Sequence, residues 1–259
     1  MTTDEVLELL REVAASVITP RFRALAAGEI HEKKPGDYVT IADREAELAI
    51  AERLRAAYPD ALVVGEEASF ADPSLMAGLP SAAHAFVIDP VDGTRNFVHG
   101  NPDHAVMVAE LTAGEVVRGW ILQPEYDAAY VAERGAGVTR NGVRLKPVPR
   151  TGTPRIESSS RRDLGELATR PEWHVGHTHF CCGIDYPRLL TGEVDALIYR
   201  WPKPWDHAAG ALMMTELGAV PRLLDGSTYA PGQPHGVLLA AASEEAWHTI
   251  ADAIGAPAR

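Results

Sequence analysis

Asp89 and Asp92 stand three residues apart in the stretch AFVIDPVDGTRNFV, residues 85–98 of a 259-residue chain. The run Ala85, Phe86, Val87, Ile88 has the β-branched and aromatic character of a buried strand. Pro90 restricts Asp89 to an extended conformation, which keeps its carboxylate at the strand tip. Gly93 permits a sharp turn, and Asp92 or Thr94 can cap a short helix behind it. One turn thus holds two carboxylates, which bind hard cations, beside N–H groups at a helix start, which bind phosphate. That combination suits metal-assisted phosphoryl chemistry. The same residue types also build ordinary surface turns, so the other acids of the chain decide between the two.

Those acids fall at the ends of predicted elements. Thr40 opens a helical pattern, TIADREAELAIAERLRAA, that Pro59 closes. Asp37 and Asp43 flank its start, and Asp43 and Glu47 lie one turn apart on one face. Glu66 and Glu67 follow a short strand, ALVVG (61–65), and Asp206 follows Pro204-Trp205 at the start of the strong helical pattern of 205–219. Taken singly, each has a structural role open to it: an N-cap, a solvated loop acid, a partner for a helix dipole.

The rest of the chain supplies the scaffold. Val6, Leu7, Leu10, Val13 and Val17 space an amphipathic helix over 3–26, with Thr2 and Glu5 as a capping box. Residues 28–38 (GEIHEKKPGDY) and 68–81 read as loops. The runs 104–111 and 116–122 form a hairpin about Ala113-Gly114, and the pattern continues through AAYVAE and the turns at 135–137 and 141–142. From about Thr151 the texture changes to α/β: strands at RIESS, WHVGH, VDALIY, VPRLL and GVLLAA, a polar stretch of helical composition at 160–170, helices near 182–191 and 205–219, and a closing helix, SEEAWHTIADAI. This predicts one unit with two subdomains, residues 1–150 and 151–259, the first holding most of the acids.

Together the segments GDYVTIAD (36–43), VVGEEAS (63–69), VIDPVDGTRNFVHG (87–100) and PWDHAAGALMMTELGA (204–219) resemble, in order and spacing, the inositol monophosphatase family of lithium-sensitive, magnesium-dependent sugar phosphatases. The resemblance implies a layered αβαβα sandwich, α+β or α/β in class. It implies one Mg²⁺ held by Glu66, Asp89 and the carbonyl of Val91, and a second held by Asp89, Asp92 and Asp206, with a third near Glu66 in some members. It further implies that Asp43 and Thr94, with Glu66, act on the attacking water, and that the N–H groups of Gly93 and Thr94 receive the phosphate. Family members are commonly homodimers, so a homodimer is expected. Physics points the same way: two like charges ~4 Å apart repel by about 4 kcal/mol at an effective dielectric of ~20, and divalent cations relieve that.

The chain departs from the family at the alcohol-recognition end. Phe180-Cys181-Cys182 stands where the family opens a helix with Gly-Ser or Gly-Thr, and Tyr199 where it has the Glu that meets inositol hydroxyls. Arg200-Trp201-Pro202-Lys203 follows, so Arg200 or Lys203 is a candidate for reading a second anionic group, with Tyr199 and Asp92 beside them. Expected substrates are small polyol or sugar phosphates, with 3′-phosphonucleotides, fructose bisphosphate and histidinol phosphate as alternatives. An inactive metal-binding scaffold is the alternative of another class.

Composition narrows the field further. A net charge of −12 argues against nucleic-acid binding by general electrostatics. No apolar run approaches the ~20 residues of a membrane span, and charged residues among the first leucines do not read as a signal peptide. Cys181 and Cys182 are adjacent, which disfavours a structural disulfide and fits a cytoplasmic setting. The triplet His174, His177, His179 lacks the Cys or Glu that zinc spacing would want.

Overall fold

Thr2 and Glu5 form the expected capping box on helix α1 (Thr3–Val13). The α-helical hydrogen bonding stops well before residue 26, giving way to a wider turn (Ala14–Ile18) and a tight one (Thr19–Arg21) that contains Pro20. The computed structural model describes residues 1–150, 152–160, 164, 167, 171–232 and 235–255.

Residues 28–38, expected as a loop, instead form most of a hairpin of β1 (Ile30–Lys34) and β2 (Asp37–Thr40). β1 is polar and largely exposed, and β2 is only four residues long, so neither shows the alternation by which a half-buried strand is recognised. Thr40 then caps α2 (Ile41–Ala57), which leads to β3 (Leu62–Gly65). The second expected loop is also structured: α3 (Glu66–Ala71) and α4 (Leu75–Gly78) are too short to show a helical period. The expected central strand and its turn become β4 (His84–Asp92) and α5 (Thr94–Val98).

An antiparallel meander follows, with β5 (Ala105–Thr112), β6 (Glu115–Gln123), β7 (Ala128–Glu133), β8 (Gly137–Arg140) and β9 (Val143–Arg144). The later part of the chain contributes β10 (Arg155–Ser158), β11 (His174–His177), α6 (Cys182–Thr191), β12 (Ala196–Arg200), α7 (Pro204–Glu216), β13 (Val220–Leu223), β14 (Val237–Ala241) and α8 (Glu244–Ile254). The expected helical stretch at 160–170 lies largely outside the described residues.

Two sheets organise these elements. The seven-stranded sheet runs β3-β4-β5-β6-β7-β8-β9, antiparallel except for the β3–β4 pair. The five-stranded sheet runs β11-β10-β12-β14-β13 and mixes both senses. Side-chain alternation assigns the layers. On β4, Phe86 and Ile88 pack with α1 and α2, while Ala85 and Val87 join the core containing α6 and α7. On β12, Leu197 and Tyr199 face that same inner core, and Ala196 and Ile198 pack against Trp247 and Ile250 of α8. The order is helices, sheet, helices, sheet, helix, the αβαβα sandwich. Among the described residues no helix is long and apolar enough to cross a membrane.

Candidate active site

β4 delivers Asp89 and Asp92 together because its register against β5 slips between them, pairing Asp89 with Met107 and Asp92 with Ala105. Such a bulge re-aims side chains that strict alternation would send to opposite faces. Gly93 turns the chain with φ +81°, and a Cβ there would lie 2.8 Å from the Asp103 carbonyl and 3.0 Å from Cys181 Cβ, so only glycine fits. Glu66 comes from the first turn of α3 and Asp206 from that of α7. All four carboxylates line one cleft of about 280 Å³, together with Gly93, Thr94 and Tyr199.

Thr40 and Asp43 form the second capping box: Asp43 Oδ2 accepts from Thr40 N at 2.8 Å and from its hydroxyl at 2.5 Å. The free oxygen, Oδ1, accepts from Thr94 Oγ1 at 2.9 Å, and that hydroxyl also lies 3.0 Å from the Val91 carbonyl. Burial pushes Asp43 up to about 6, with the Thr40 bonds opposing and Glu66 adding to the rise.

Glu47, one turn along α2, accepts from the N–H groups of Glu67 (2.7 Å) and Ala68 (2.9 Å) and so caps α3 from a distance. Its carboxyl occupies the space above Gly65, where a Cβ would lie 2.1 Å from Glu47 Cδ. The sequence showed Asp43 and Glu47 on one face; the structure shows that one orients Thr94 and the other the helix start that bears Glu66. Lys33, in the hairpin that read as a loop, was missed. Its side chain is 4% exposed, and Nζ donates to Glu66 Oε1 (2.9 Å) and Glu67 Oε1 (2.6 Å). Burial alone would lower its pKa, but the two carboxylates outweigh it and hold the ammonium charged.

The acids are otherwise poorly compensated. Asp89 is 2% exposed, its Oδ1 has no hydrogen-bond partner within the protein, and its side chain is within hydrogen-bonding reach of Asp206. Burial raises the pKa of both well above the usual carboxylate range, and Glu66 and Asp92 raise them further. Asp92 Oδ2 accepts from Gly183 N at 2.5 Å and from Cys181 Sγ at 3.1 Å, yet burial still lifts Asp92 to about 7. An orphaned buried carboxylate oxygen within an all-oxygen donor set fits a hard divalent cation. Among the described residues no three side chains are drawn up into a closed metal cage. Glu66 is turned toward Lys33, and Asp92 toward the start of α6.

The alcohol side differs. Tyr199 lines the cleft, 6% exposed, with Oη donating to Asp185 Oδ2 at 2.7 Å. Arg200 and Lys203 are exposed and are not among the cleft-lining residues; their cationic heads lie over Trp201 (5.7 Å) and Trp205 (6.0 Å). Phe180, Thr178, Ser159, Tyr38 and Arg95 also line the cleft, and sequence reasoning gave none of them a role there. His179 Nδ1 lies 2.7 Å from Asp103 Oδ2, while His174 and His177 are exposed on β11.

The sequence model of the inositol monophosphatase family matches residues 2–255. The chain is 33% identical over 221 residues to the Nus factor SuhB of Pseudomonas aeruginosa, covering 80% of each chain. It is 33% identical over 207 residues to the inositol-1-monophosphatase of Rhizobium meliloti, covering 73% of each. The crystal structure of the extragenic suppressor protein suhB from Bartonella henselae superposes with a TM-score of 0.80 at 26% identity, over 96% of this chain and 98% of that one. With the acids, the bulged strand and the layer order already in place, this match over nearly the whole sequence shows that the chain belongs to the inositol monophosphatase family.

Proposed function

We propose that the chain is a Mg²⁺-dependent phosphomonoesterase that hydrolyses a small polyol or sugar phosphate with water as the nucleophile. The observation that carries this reading is the convergence of Glu66, Asp89, Asp92 and Asp206, from three separate elements, on one cleft beside Gly93 and Thr94. In this reading Glu66, Asp89 and the Val91 carbonyl hold one ion and Asp89, Asp92 and Asp206 another, with room for a third near Glu66. When bound, the cations neutralise the acids, acidify the attacking water and stabilise charge on the leaving oxygen.

The chain's own residues do the positioning. The Thr94 hydroxyl donates its hydrogen bond to Asp43, which leaves its lone pairs to accept from the attacking water. Asp43 is fixed by Thr40, so the pair keeps one orientation. Glu66 is held at the start of α3 by the Glu47 cap, and the N–H groups of Gly93 and Thr94 receive the phosphate oxygens. Cys181 and Cys182 are buried and take no part as nucleophiles. Tyr199 bounds the alcohol; Arg200 and Lys203 lie outside the cleft lining, so they would meet only a substrate whose further anionic group extends beyond it. Two free thiols fit a cytoplasmic protein, and family membership supports a homodimer.

The test is phosphate release, with and without Mg²⁺, from inositol 1-phosphate, fructose 1,6-bisphosphate, a 3′-phosphonucleotide and histidinol phosphate. Mg²⁺-dependent release that Li⁺ suppresses is expected. Metal binding without release from any ester would favour a second reading, a regulatory scaffold, to which the similarity to a Nus factor gives weight.

A further inference from the structure

Three parallel strands end side by side in the cleft. β10 pairs parallel with β11 and with β12, and Ser158 stands opposite both His177 and Ile198. The next residue of each strand line, Ser159, Thr178 and Tyr199, therefore falls in one row, and all three line the cleft. Thr178 N donates to the Ser158 carbonyl at 3.3 Å and Ser159 N to that of Ile198 at 3.0 Å, which fixes the row. The carboxyl ends of parallel strands are where open α/β sheets take their ligands.

The segment that follows Thr178 ties this row to the phosphate end. Asn96 of α5, the helix that carries Thr94, donates from Nδ2 to the His179 carbonyl at 2.8 Å. Cys181 Sγ and Gly183 N then donate to Asp92 Oδ2.

The three hydroxyls of the row are in different states. Tyr199 Oη donates to Asp185 Oδ2 at 2.7 Å, and Ser159 Oγ donates to the Ile198 carbonyl at 3.4 Å. Thr178 is 3% exposed, and its Oγ1 accepts from Phe180 N at 3.3 Å. Among the described residues, the Thr178 hydroxyl proton has no acceptor. A hydroxyl carries one donor and two acceptor lone pairs, so a buried one with its donor unspent is matched by an oxygen of a ligand. The phosphate oxygens are provided for at Gly93 and Thr94, which leaves an oxygen of the alcohol for Thr178.

We infer that Thr178 is a specificity-determining residue whose hydroxyl donates to a free hydroxyl oxygen on the leaving alcohol, with Ser159 beside it and Tyr199 beyond. The inference rests on the phosphatase reading of the same cleft and names the side chain that tells a polyol ester from its deoxygenated analogue. A site built to hydrogen-bond a substrate hydroxyl rejects the analogue that lacks it, because the buried polar group is then left unpaired.

The experiment uses two matched pairs of esters at saturating Mg²⁺: inositol 1-phosphate with cyclohexyl phosphate, and glycerol 1-phosphate with propyl phosphate. The members of a pair share a carbon skeleton and differ in their free hydroxyls. In the pair that the wild type turns over faster, kcat/KM for the hydroxylated member should exceed that for its analogue roughly tenfold, mostly through KM. Thr178→Val, which keeps the shape and loses the hydroxyl, should remove most of that preference, and Thr178→Ser should keep it. Mg²⁺-dependent release with no preference in either pair, a preference that survives Thr178→Val, or one that is lost in Thr178→Ser overturns the inference and leaves the phosphatase reading intact. No release from any of the four esters overturns both.

Discussion

The two ends of the cleft are built on different principles. At the phosphate end, charge is concentrated and left short of partners: Asp89 has an orphaned oxygen, and burial and mutual repulsion raise Asp89, Asp92 and Asp206. At the alcohol end, several polar groups are spent internally: Tyr199 on Asp185, His179 on Asp103, Asn96 on two carbonyls. The first arrangement stores unfavourable electrostatic energy that a cation can release. The second is satisfied and rigid, and can select a ligand by shape. Substitutions at the first end should therefore move chemistry more than stability, and at the second end the reverse.

The largest effect is expected at Asp206. Asp206→Asn should lower Mg²⁺-dependent phosphate release by on the order of a thousandfold, as removal of a charge-stabilising group does, while the metal-free protein melts no lower than wild type. A melting point that fell with activity would place Asp206 among the structural residues.

Glu47 comes next, because it is both a helix cap and the support of a metal-end acid, Glu66. Glu47→Ala leaves the N–H groups of Glu67 and Ala68 without their acceptor and should cost about 2–3 kcal/mol of stability in denaturant titration. It should also weaken Mg²⁺ binding, because Glu66 loses its fixed helix start. Unchanged metal affinity would reduce Glu47 to a cap alone.

Tyr199→Phe should cost about 1–3 kcal/mol by leaving buried Asp185 Oδ2 unpaired, yet leave Mg²⁺ affinity as it was. A loss of metal affinity would show that the two ends are coupled.

The smallest effect is on pH dependence. Burial pushes Glu67 and Asp92 up to about 7 and Asp43 and Asp185 up to about 6. Between these values and the ordinary carboxylate range, the folded protein holds protons that the unfolded chain has lost. Stability of the metal-free protein should therefore rise as pH falls from about 8 toward about 6. Buried His104 and His207 act oppositely. Burial lowers them from 6.5 to about 4 and about 3, so the unfolded chain binds protons first and the histidines' contribution to stability declines as pH drops below 6.5. Four raised carboxyls outnumber two lowered histidines, so the metal-free melting point should go on rising, more gently, as pH falls below about 6, and saturating Mg²⁺ should flatten the alkaline side of the profile. A metal-free melting point that climbed steadily to pH 8 would contradict the charge account of the acid wall.

The same division explains what the sequence could disclose. Asp43 was legible through the family motif GDYVTIAD, and Asp89 and Asp92 because Pro and Gly mark their turn. The αβαβα order followed from the family motifs, while apolar runs such as 104–111 gave individual strands. Lys33 was illegible because β1 and β2 carry polar residues on both faces, so nothing marked a hairpin whose lysine turns inward. Glu47 looked like any acid on a helix face, since its partners are backbone groups twenty residues away. Phe180 was legible only as a departure from the family. Its positive φ is imposed by Thr178, Asp185 and Asn96, and no local pattern encodes that.

The most direct test of the central claim is a calorimetric titration of the metal-free protein with Mg²⁺, wild type beside Asp89→Asn. Saturable binding in the wild type that vanishes in the variant, with both proteins folded, is the predicted result. Equal binding by the two would contradict the claim that the buried acids of this cleft hold the cation.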